Sequence, residues 1–122
     1  MARIMIAEDS DEIRLVLKDL LKIGNHEVVA EADNGNDAVK KFNAIKPDVL
    51  LLDIAMPKKD GLDTLKEIIA ANPNAKIVMI TATDNLKTMQ ECLSAGASAY
   101  ILKPFDFDEV LKIIANVLDK HL

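Results

Sequence analysis

The chain is poor in residues that crosslink a fold or anchor it in a membrane. It has one cysteine, Cys92, and no tryptophan, so no disulfide can form within it, which is typical of proteins from reducing compartments. We expect Cys92 to line the core as a small apolar residue. No apolar run is long enough to cross a bilayer, and no charged and then apolar leader follows Met1. The sequence therefore predicts a cytoplasmic protein that binds no membrane.

An excess of positive charge is also lacking. The chain has 15 basic and 20 acidic side chains and a formal net charge of −5, which argues against nucleic-acid binding through a basic face. Its 122 residues are enough for one hydrophobic core and leave no room for a second. We therefore expect residues 1–122 to form a single domain.

Apolar segments of strand length alternate with segments of helical period. The apolar segments lie at residues 4–7, 28–30, 49–52, 77–80 and 99–102. Unbroken runs such as VLLL and IVMI are typical of parallel strands that are buried on both faces. Five strands alternating with five helices predict an α/β three-layer sandwich with right-handed crossovers. The fourth helix has the thinnest apolar stripe, so we expect it to pack least firmly.

Charged and polar side chains follow the predicted strands at their carboxyl ends. Glu8 and Asp9 follow the first strand, Asp53 the third, Thr81 the fourth and Lys103 the fifth. Because these ends share one edge of a parallel sheet, where ligands bind, we expect the five side chains to converge.

Three carboxylates at one edge repel each other. Two unit charges about 4 Å apart repel by roughly 4 kcal/mol near a protein surface, so either a carboxyl stays protonated or a cation binds. Oxygen ligands favour Mg²⁺, which keeps several waters and accepts a phosphate oxygen. Lys103 could pair with Asp53 at rest and with a phosphoryl group later. Asp53 as nucleophile, with Thr81 as a donor, would make a phosphoryl-transfer site.

Four segments together resemble the receiver domain of response regulators of the CheY type. They are AEDS at residues 7–10, LLDIAMPKKDG at 51–61, MITA at 79–82 and AYILKPF at 99–105. The resemblance covers essentially the whole chain. It implies a flavodoxin/CheY-like fold with a parallel sheet in the order 2-1-3-4-5.

The resemblance also implies roles for single residues. Asp53 would accept a phosphoryl group from the phosphohistidine of a sensor histidine kinase or from a small phosphodonor. Asp9 and Asp53 would bind Mg²⁺ directly, Glu8 through a water, and the backbone carbonyl of Ala55 would complete the protein ligands. Lys103 would assist phosphorylation, and its peptide bond to the following proline would be cis, an isomer found essentially only before proline.

The same resemblance predicts how the signal would leave the site. Thr81 and Tyr100 would act as the switch, with Thr81 moving toward the phosphate and Tyr100 swinging inward. The face made by the fourth helix, fifth strand and fifth helix would then bind a downstream effector. The protein would be a monomer with no separate turnover substrate, so not an enzyme in the usual sense.

Three positions depart from the commonest receiver pattern or vary within the family. Glu8 stands where many relatives have a second aspartate, and its extra methylene moves the carboxylate outward. Ala55 and Thr83 occupy positions where side chains influence the attacking water, and neither is a strong base. We hypothesise that intrinsic hydrolysis, or a separate phosphatase, sets the lifetime of the phosphoryl group.

Several alternatives remain open at this point. A stand-alone CheY-type chemotaxis regulator is the leading interpretation, and a phosphorelay intermediate or an excised module of a larger regulator is the alternative. A Mg²⁺-dependent phosphatase with an aspartate nucleophile would need an acid where Ala55 stands. A flavodoxin-like cofactor carrier would not place carboxylates in its phosphate loop, and an unphosphorylated docking module would not need the full set of site residues. His26 and His121 lack suitably spaced ligand partners, and we expect them at the surface.

Overall fold

A computed structural model describes residues 1–119, and His121 lies outside this part of the chain. Within it, strands and helices alternate as the apolar pattern predicts. They are β1 (Arg3–Ala7), α1 (Asp11–Ile23), β2 (Glu27–Ala32), α2 (Gly35–Ile45), β3 (Val49–Leu52), α3 (Gly61–Ala71), β4 (Ile77–Thr81), α4 (Leu86–Ser94), β5 (Ala99–Leu102) and α5 (Phe107–Asp119). The main difference is β2, which extends beyond the predicted 28–30 at both ends.

The five strands form one parallel sheet in the order β2-β1-β3-β4-β5, as the resemblance implies. The order reverses between β1 and β3, which lie side by side with Ala7 opposite Leu52. The residues that follow these two strands therefore start from neighbouring positions at one edge of the sheet. This reversal point is where open α/β sheets bind ligands.

Helices cover both faces of the sheet, so two hydrophobic clusters form. One cluster lies under α1 and α5 and includes Leu17, Leu20 and Ile114, and the other lies under α2, α3 and α4. Every residue of β3 and β4 is buried. Burial on both faces explains why these strands are apolar without a break.

The fourth helix packs least firmly, as expected. Cys92 is the one buried residue of α4, whereas Leu86 and Leu93 on the same helix are exposed. Burial raises the pKa of the Cys92 thiol, so the thiol stays protonated and unreactive. The expectation that Cys92 lines the core is confirmed.

Helix starts lie next to the strand ends because short polar side chains cap them. Ser10, Asn34, Asp60 and Asn85 each accept a hydrogen bond from the backbone N–H three residues later, which satisfies a donor that the helix itself leaves unpaired. Within residues 1–119, no helix has both the length and the apolar character to span a bilayer.

His26 is half-buried against the amino terminus, not fully at the surface as expected. Its Nδ1 accepts a hydrogen bond from the Ala2 N–H at 3.1 Å. Burial, and secondly the positive charge of the chain terminus, lower the pKa of the imidazole. The folded chain therefore favours neutral His26.

We predict that His26 makes the protein less stable as the pH falls. Below about pH 6.5 the unfolded histidine binds a proton before the folded one does, so the free energy of unfolding decreases with decreasing pH until the folded state is also protonated. Asparagine offers an acceptor oxygen but does not titrate. Urea unfolding at about pH 7.5 and about pH 5.5 should give a smaller loss of stability for His26→Asn than for the unmodified protein. Equal losses would contradict this assignment.

Candidate functional site

Three carboxylates meet where β1 and β3 end. Glu8 and Asp53 are buried, with exposed fractions of 2% and 5%, and Asp9 is exposed. Each offers an oxygen, and these oxygens lie within 4.8 Å of one another. The predicted convergence of the acidic residues is therefore present.

Backbone contacts hold Asp53 at this edge. Its N–H donates to the carbonyl oxygen of Ala7 at 3.0 Å, and the Gly61 N–H donates to the carbonyl oxygen of Ile54 at 2.8 Å. A Cβ atom at position 61 would lie 2.2 Å from the Asp53 carbonyl oxygen. Only glycine lets α3 begin this close to Asp53.

Lys103 lies between two of the carboxylates. Its Nζ is 2.7 Å from Glu8 Oε1 and 3.3 Å from Asp53 Oδ2. The predicted pair with Asp53 is present, but the nearer partner is Glu8, which the sequence alone did not indicate. The Lys103–Pro104 peptide is cis, as the resemblance implies. The Lys103 N–H donates to the Thr81 carbonyl oxygen at 2.9 Å, which ties the lysine to β4.

Burial makes the charged form of Glu8 costly. Desolvation raises the pKa of its carboxyl, and the charge of Asp53 raises it further, whereas Lys103 and the Ser10 N–H lower it. The net direction is upward. When all three carboxylates are ionised, Lys103 offsets only part of their negative charge.

The carboxylates differ in how many of their oxygens are already engaged. Glu8 Oε1 accepts from Lys103, and Oε2 accepts from the Ser10 N–H at 3.0 Å. Within residues 1–119, the Asp9 carboxylate has no hydrogen-bond or ion-pair partner. Asp9 and the second oxygen of Asp53 are thus the groups best able to bind a divalent cation, and this oxygen-only set suits Mg²⁺.

The predicted switch residues are joined through Thr83. Thr81, which is buried at the end of β4, accepts a hydrogen bond from the Thr83 N–H at 3.3 Å. The Tyr100 hydroxyl donates to the Thr83 carbonyl oxygen at 2.6 Å, and its ring packs against the second hydrophobic cluster. Burial raises the pKa of Tyr100, so the hydroxyl remains a donor.

The loop after Asp53 contains the remaining predicted residues. Ala55 is exposed, and within residues 1–119 no protein donor binds its carbonyl oxygen, which is therefore free to act as a ligand. Lys58 is exposed with φ of 70°, in the left-handed region. Lys59 is less exposed and forms an ion pair with Glu67 on α3.

Two features beside the site were missed by the sequence reasoning. Arg14 on α1 donates to the carbonyl oxygen of Glu8. Its position near the start of the helix that follows Asp9 indicates that the two residues are close, but it does not predict this contact. An apolar cleft of about 510 Å³ also borders Lys103. The cleft is lined by Ile13, Val16, Ala82, Lys103, Pro104, Phe105 and Phe107.

Comparisons with known proteins agree with this geometry. The family model for the response regulator receiver domain matches residues 4–115. The chemotaxis protein CheY of Listeria monocytogenes is 40% identical over 114 residues, covering 93% of this chain and 96% of that protein. CheY of Bacillus subtilis is 40% identical over 117 residues, covering 96% and 98%.

A solved structure shares the fold closely. The CheX-CheY-BeF3-Mg complex from Borrelia burgdorferi contains a chain with a TM-score of 0.94 and 31% identity, covering 97% of this chain and 90% of that one. The same family is indicated by the sheet order, by the acidic cluster beside Lys103 and by the matches in sequence. This chain belongs to the response regulator receiver domains of two-component signalling.

Proposed function

We propose that residues 1–122 form a single receiver domain that is switched by phosphorylation of Asp53. A sensor histidine kinase, or a small phosphodonor, would supply the phosphoryl group. The observation that carries this proposal is the buried Asp53 carboxylate, placed 3.3 Å from Lys103 and beside Glu8 and Asp9. A buried acceptor that is flanked by a cation and by spare oxygen ligands suits attack on phosphorus.

Receiver domains bind Mg²⁺ at an acidic pocket, and the residues here fit that ion. Asp9, Asp53 and the Ala55 carbonyl oxygen would hold it directly, and Glu8 through water. Bound there, Mg²⁺ would neutralise the carboxylates and draw charge from the phosphoryl oxygens. Because both Glu8 oxygens already have protein donors, an outer position for Glu8 agrees with the contacts.

The chain's own residues account for the remaining chemistry. Asp53 Oδ would attack phosphorus as the bond to the donor's leaving atom breaks. Lys103 would leave its partly shared position and pair with the new phosphoryl oxygens, where its charge opposes the developing negative charge. Thr81, whose hydroxyl now accepts from the Thr83 N–H, would donate to the phosphoryl group.

The movement of the Thr81 hydroxyl would affect Tyr100 through Thr83, which bonds to both. The Thr83 N–H donates to the Thr81 hydroxyl, and the Thr83 carbonyl accepts from the Tyr100 hydroxyl. A movement of the Thr81 hydroxyl would therefore alter the loop that holds the tyrosine. Tyr100 already lies against the core here. We propose that phosphorylation changes the fraction of time this contact is made.

The output face would consist of α4, β5 and α5. Each carries exposed apolar side chains, namely Leu86 and Leu93, Leu102, and Phe107. The loose packing of α4, which buries only Cys92, would let this face rearrange at low cost. A downstream effector would bind there.

Receiver domains act as signalling switches and in general are not classical enzymes. We propose that this chain is a cytoplasmic monomer without a separate turnover substrate, binding neither nucleic acid nor membrane. The names of the CheY relatives favour a stand-alone role in chemotaxis. A phosphorelay intermediate, or a module of a larger regulator, is the alternative. For a phosphatase with an aspartate nucleophile, the exposed Ala55 offers no acid.

Phosphorylation of Asp53 can be tested with a small phosphodonor and Mg²⁺. Mass spectrometry should detect a gain of one phosphoryl group in the unmodified protein. Asp53→Asn should abolish the gain, because the amide is a poor nucleophile. Asp19→Asn, at an exposed position on α1, is the matched control and should retain it. A wild-type protein that gains no mass would leave only the docking interpretation.

Lys103 should affect phosphoryl transfer and metal binding in opposite directions. Loss of one charge-stabilising donor typically slows such reactions by about 10²–10³-fold, so Lys103→Gln should reduce the phosphorylation rate to that degree. The same variant should bind Mg²⁺ at least as tightly as the unmodified protein, because a competing cation is removed. Lys58→Gln, in the exposed turn, should change neither quantity. Weaker Mg²⁺ binding by Lys103→Gln would contradict the assigned role.

The phosphoryl lifetime should depend little on positions 55 and 83. Neither Ala55 nor Thr83 can act as a strong base, so removing their side-chain groups in Ala55→Gly and Thr83→Ala should each change the hydrolysis half-life by less than about tenfold, or about 1.4 kcal/mol in barrier height. The loss of phosphoryl from purified protein measures this. A half-life much longer in either variant would contradict the idea that these side chains are inert.

A further inference from the structure

Arg14 on α1 contacts three separate parts of the chain beside the acidic cluster. Its Nη1 donates to the Glu8 carbonyl oxygen at 2.6 Å, its Nε donates to Glu31 Oε1 at 3.1 Å, and its Nη2 pairs with Asp11. One guanidinium thus joins the end of β1, the strand β2 and the first turn of α1. The side chain is only 18% exposed, so little solvent competes for these contacts.

Arg14 bonds to the backbone carbonyls of the residues directly before and after Asp9. Besides the contact of its guanidinium with the Glu8 carbonyl, its backbone N–H donates to the Ser10 carbonyl oxygen at 2.9 Å. The carbonyls that flank Asp9 in the sequence are therefore both held by the same residue. Asp9 itself is exposed, and among residues 1–119 its carboxylate has no partner that could orient it.

Other hydrogen bonds fix the rest of the turn that contains Asp9. The Glu8 N–H donates to the Ala32 carbonyl oxygen at 2.9 Å, and the Glu8 side chain accepts from the Ser10 N–H. The carbonyl of Glu8 is the remaining polar group of that residue's backbone, and Arg14 occupies it. Without Arg14, the peptide between Glu8 and Asp9 could rotate, and the Asp9 carboxylate would move with it.

We infer that Arg14 is a positioning residue for the metal-binding turn, since it orients Asp9 by holding the carbonyl of Glu8. The inference rests on the proposed Mg²⁺ site. Glu31 supports the arrangement from β2, because its carboxylate pairs with both Arg14 and Lys18, and this keeps the guanidinium in place. A planar guanidinium spreads its donors over three nitrogens in a fixed fork and so reaches three separated partners, whereas the donors of an ammonium all lie on one nitrogen.

Another arginine of the chain provides a matched control. The Arg3 guanidinium also donates to backbone carbonyls, those of Ile45 and Lys46 at the end of α2. Arg3 begins β1, so these contacts lie at the opposite edge of the sheet from Asp53. Arg3→Met removes the same kind of contact as Arg14→Met but leaves the acidic cluster untouched.

The test compares Mg²⁺ affinity with stability in four proteins. Calorimetric titration with Mg²⁺ and urea unfolding are performed on the unmodified chain, Arg14→Met, Arg14→Lys and Arg3→Met. Loss of a group that orients metal ligands typically weakens binding by about 10–100-fold, so Arg14→Met should raise the Mg²⁺ dissociation constant at least about 10-fold. Arg14→Lys should recover part of the affinity, and Arg3→Met should lose stability but keep the wild-type dissociation constant.

A second measurement needs no metal. In the metal-free protein, exchange of the Ser10 amide hydrogen, followed by NMR, should be faster in Arg14→Met than in Arg3→Met, because its bond to Glu8 depends on the turn. If Arg14→Met does not fold, Arg14→Gln, whose shorter side chain cannot make the same three contacts, takes its place, and a wild-type dissociation constant in that variant overturns the inference.

The possible outcomes separate this inference from the proposed function. A wild-type dissociation constant in folded Arg14→Met, with only its stability reduced, overturns the positioning role and leaves phosphorylation of Asp53 standing. Failure of the unmodified chain to bind Mg²⁺ overturns both. A weakened affinity in Arg3→Met equal to that in Arg14→Met would also overturn the positioning role, because the effect would then follow from stability alone.

Discussion

The site depends on the charge balance between Lys103 and the buried carboxylates around it. Glu8 and Asp53 are 2% and 5% exposed, and buried anions are costly unless they are paired. The Lys103 ammonium contacts both, yet burial still raises the pKa of Glu8. The remaining negative charge would favour a cation, and the Lys103 ammonium would favour an anion once that cation offsets the carboxylates.

The fold keeps this unfavourable arrangement in place through apolar packing on both faces of the sheet. Every residue of β1, β3 and β4 is buried except Arg3 at the start of β1. Packing in the core therefore determines where the carboxyl ends of these strands lie. The loops that follow end at the helix caps Ser10, Asp60 and Asn85. Interactions at the opposite edge, such as those of Arg3 and His26, can stabilise the fold without contacting the site.

The structure separates a firm part of the domain from a compliant one. Arg14, Glu31 and the backbone of β2 hold the turn of the proposed metal site through several contacts. On the other side, α4 buries only Cys92, and Thr83 bonds to both Thr81 and Tyr100. A rigid site beside a weakly packed helix is the arrangement expected of a switch, since chemistry needs fixed geometry while signalling needs an element with little stability to lose.

Local patterns in the sequence determined the strands, the helices and the edge at which Glu8, Asp9, Asp53, Thr81 and Lys103 meet. Apolar periodicity depends on neighbouring residues, and the carboxyl ends of parallel strands must share one edge. Tertiary structure decided which groups contact each other there. Lys103 lies nearer to Glu8, 95 residues away in the sequence, than to Asp53, and Arg14 bonds to the Glu8 carbonyl. Both contacts depend on small differences in distance. Such distances are determined by how whole helices pack on the sheet, so no spacing in the sequence could predict them.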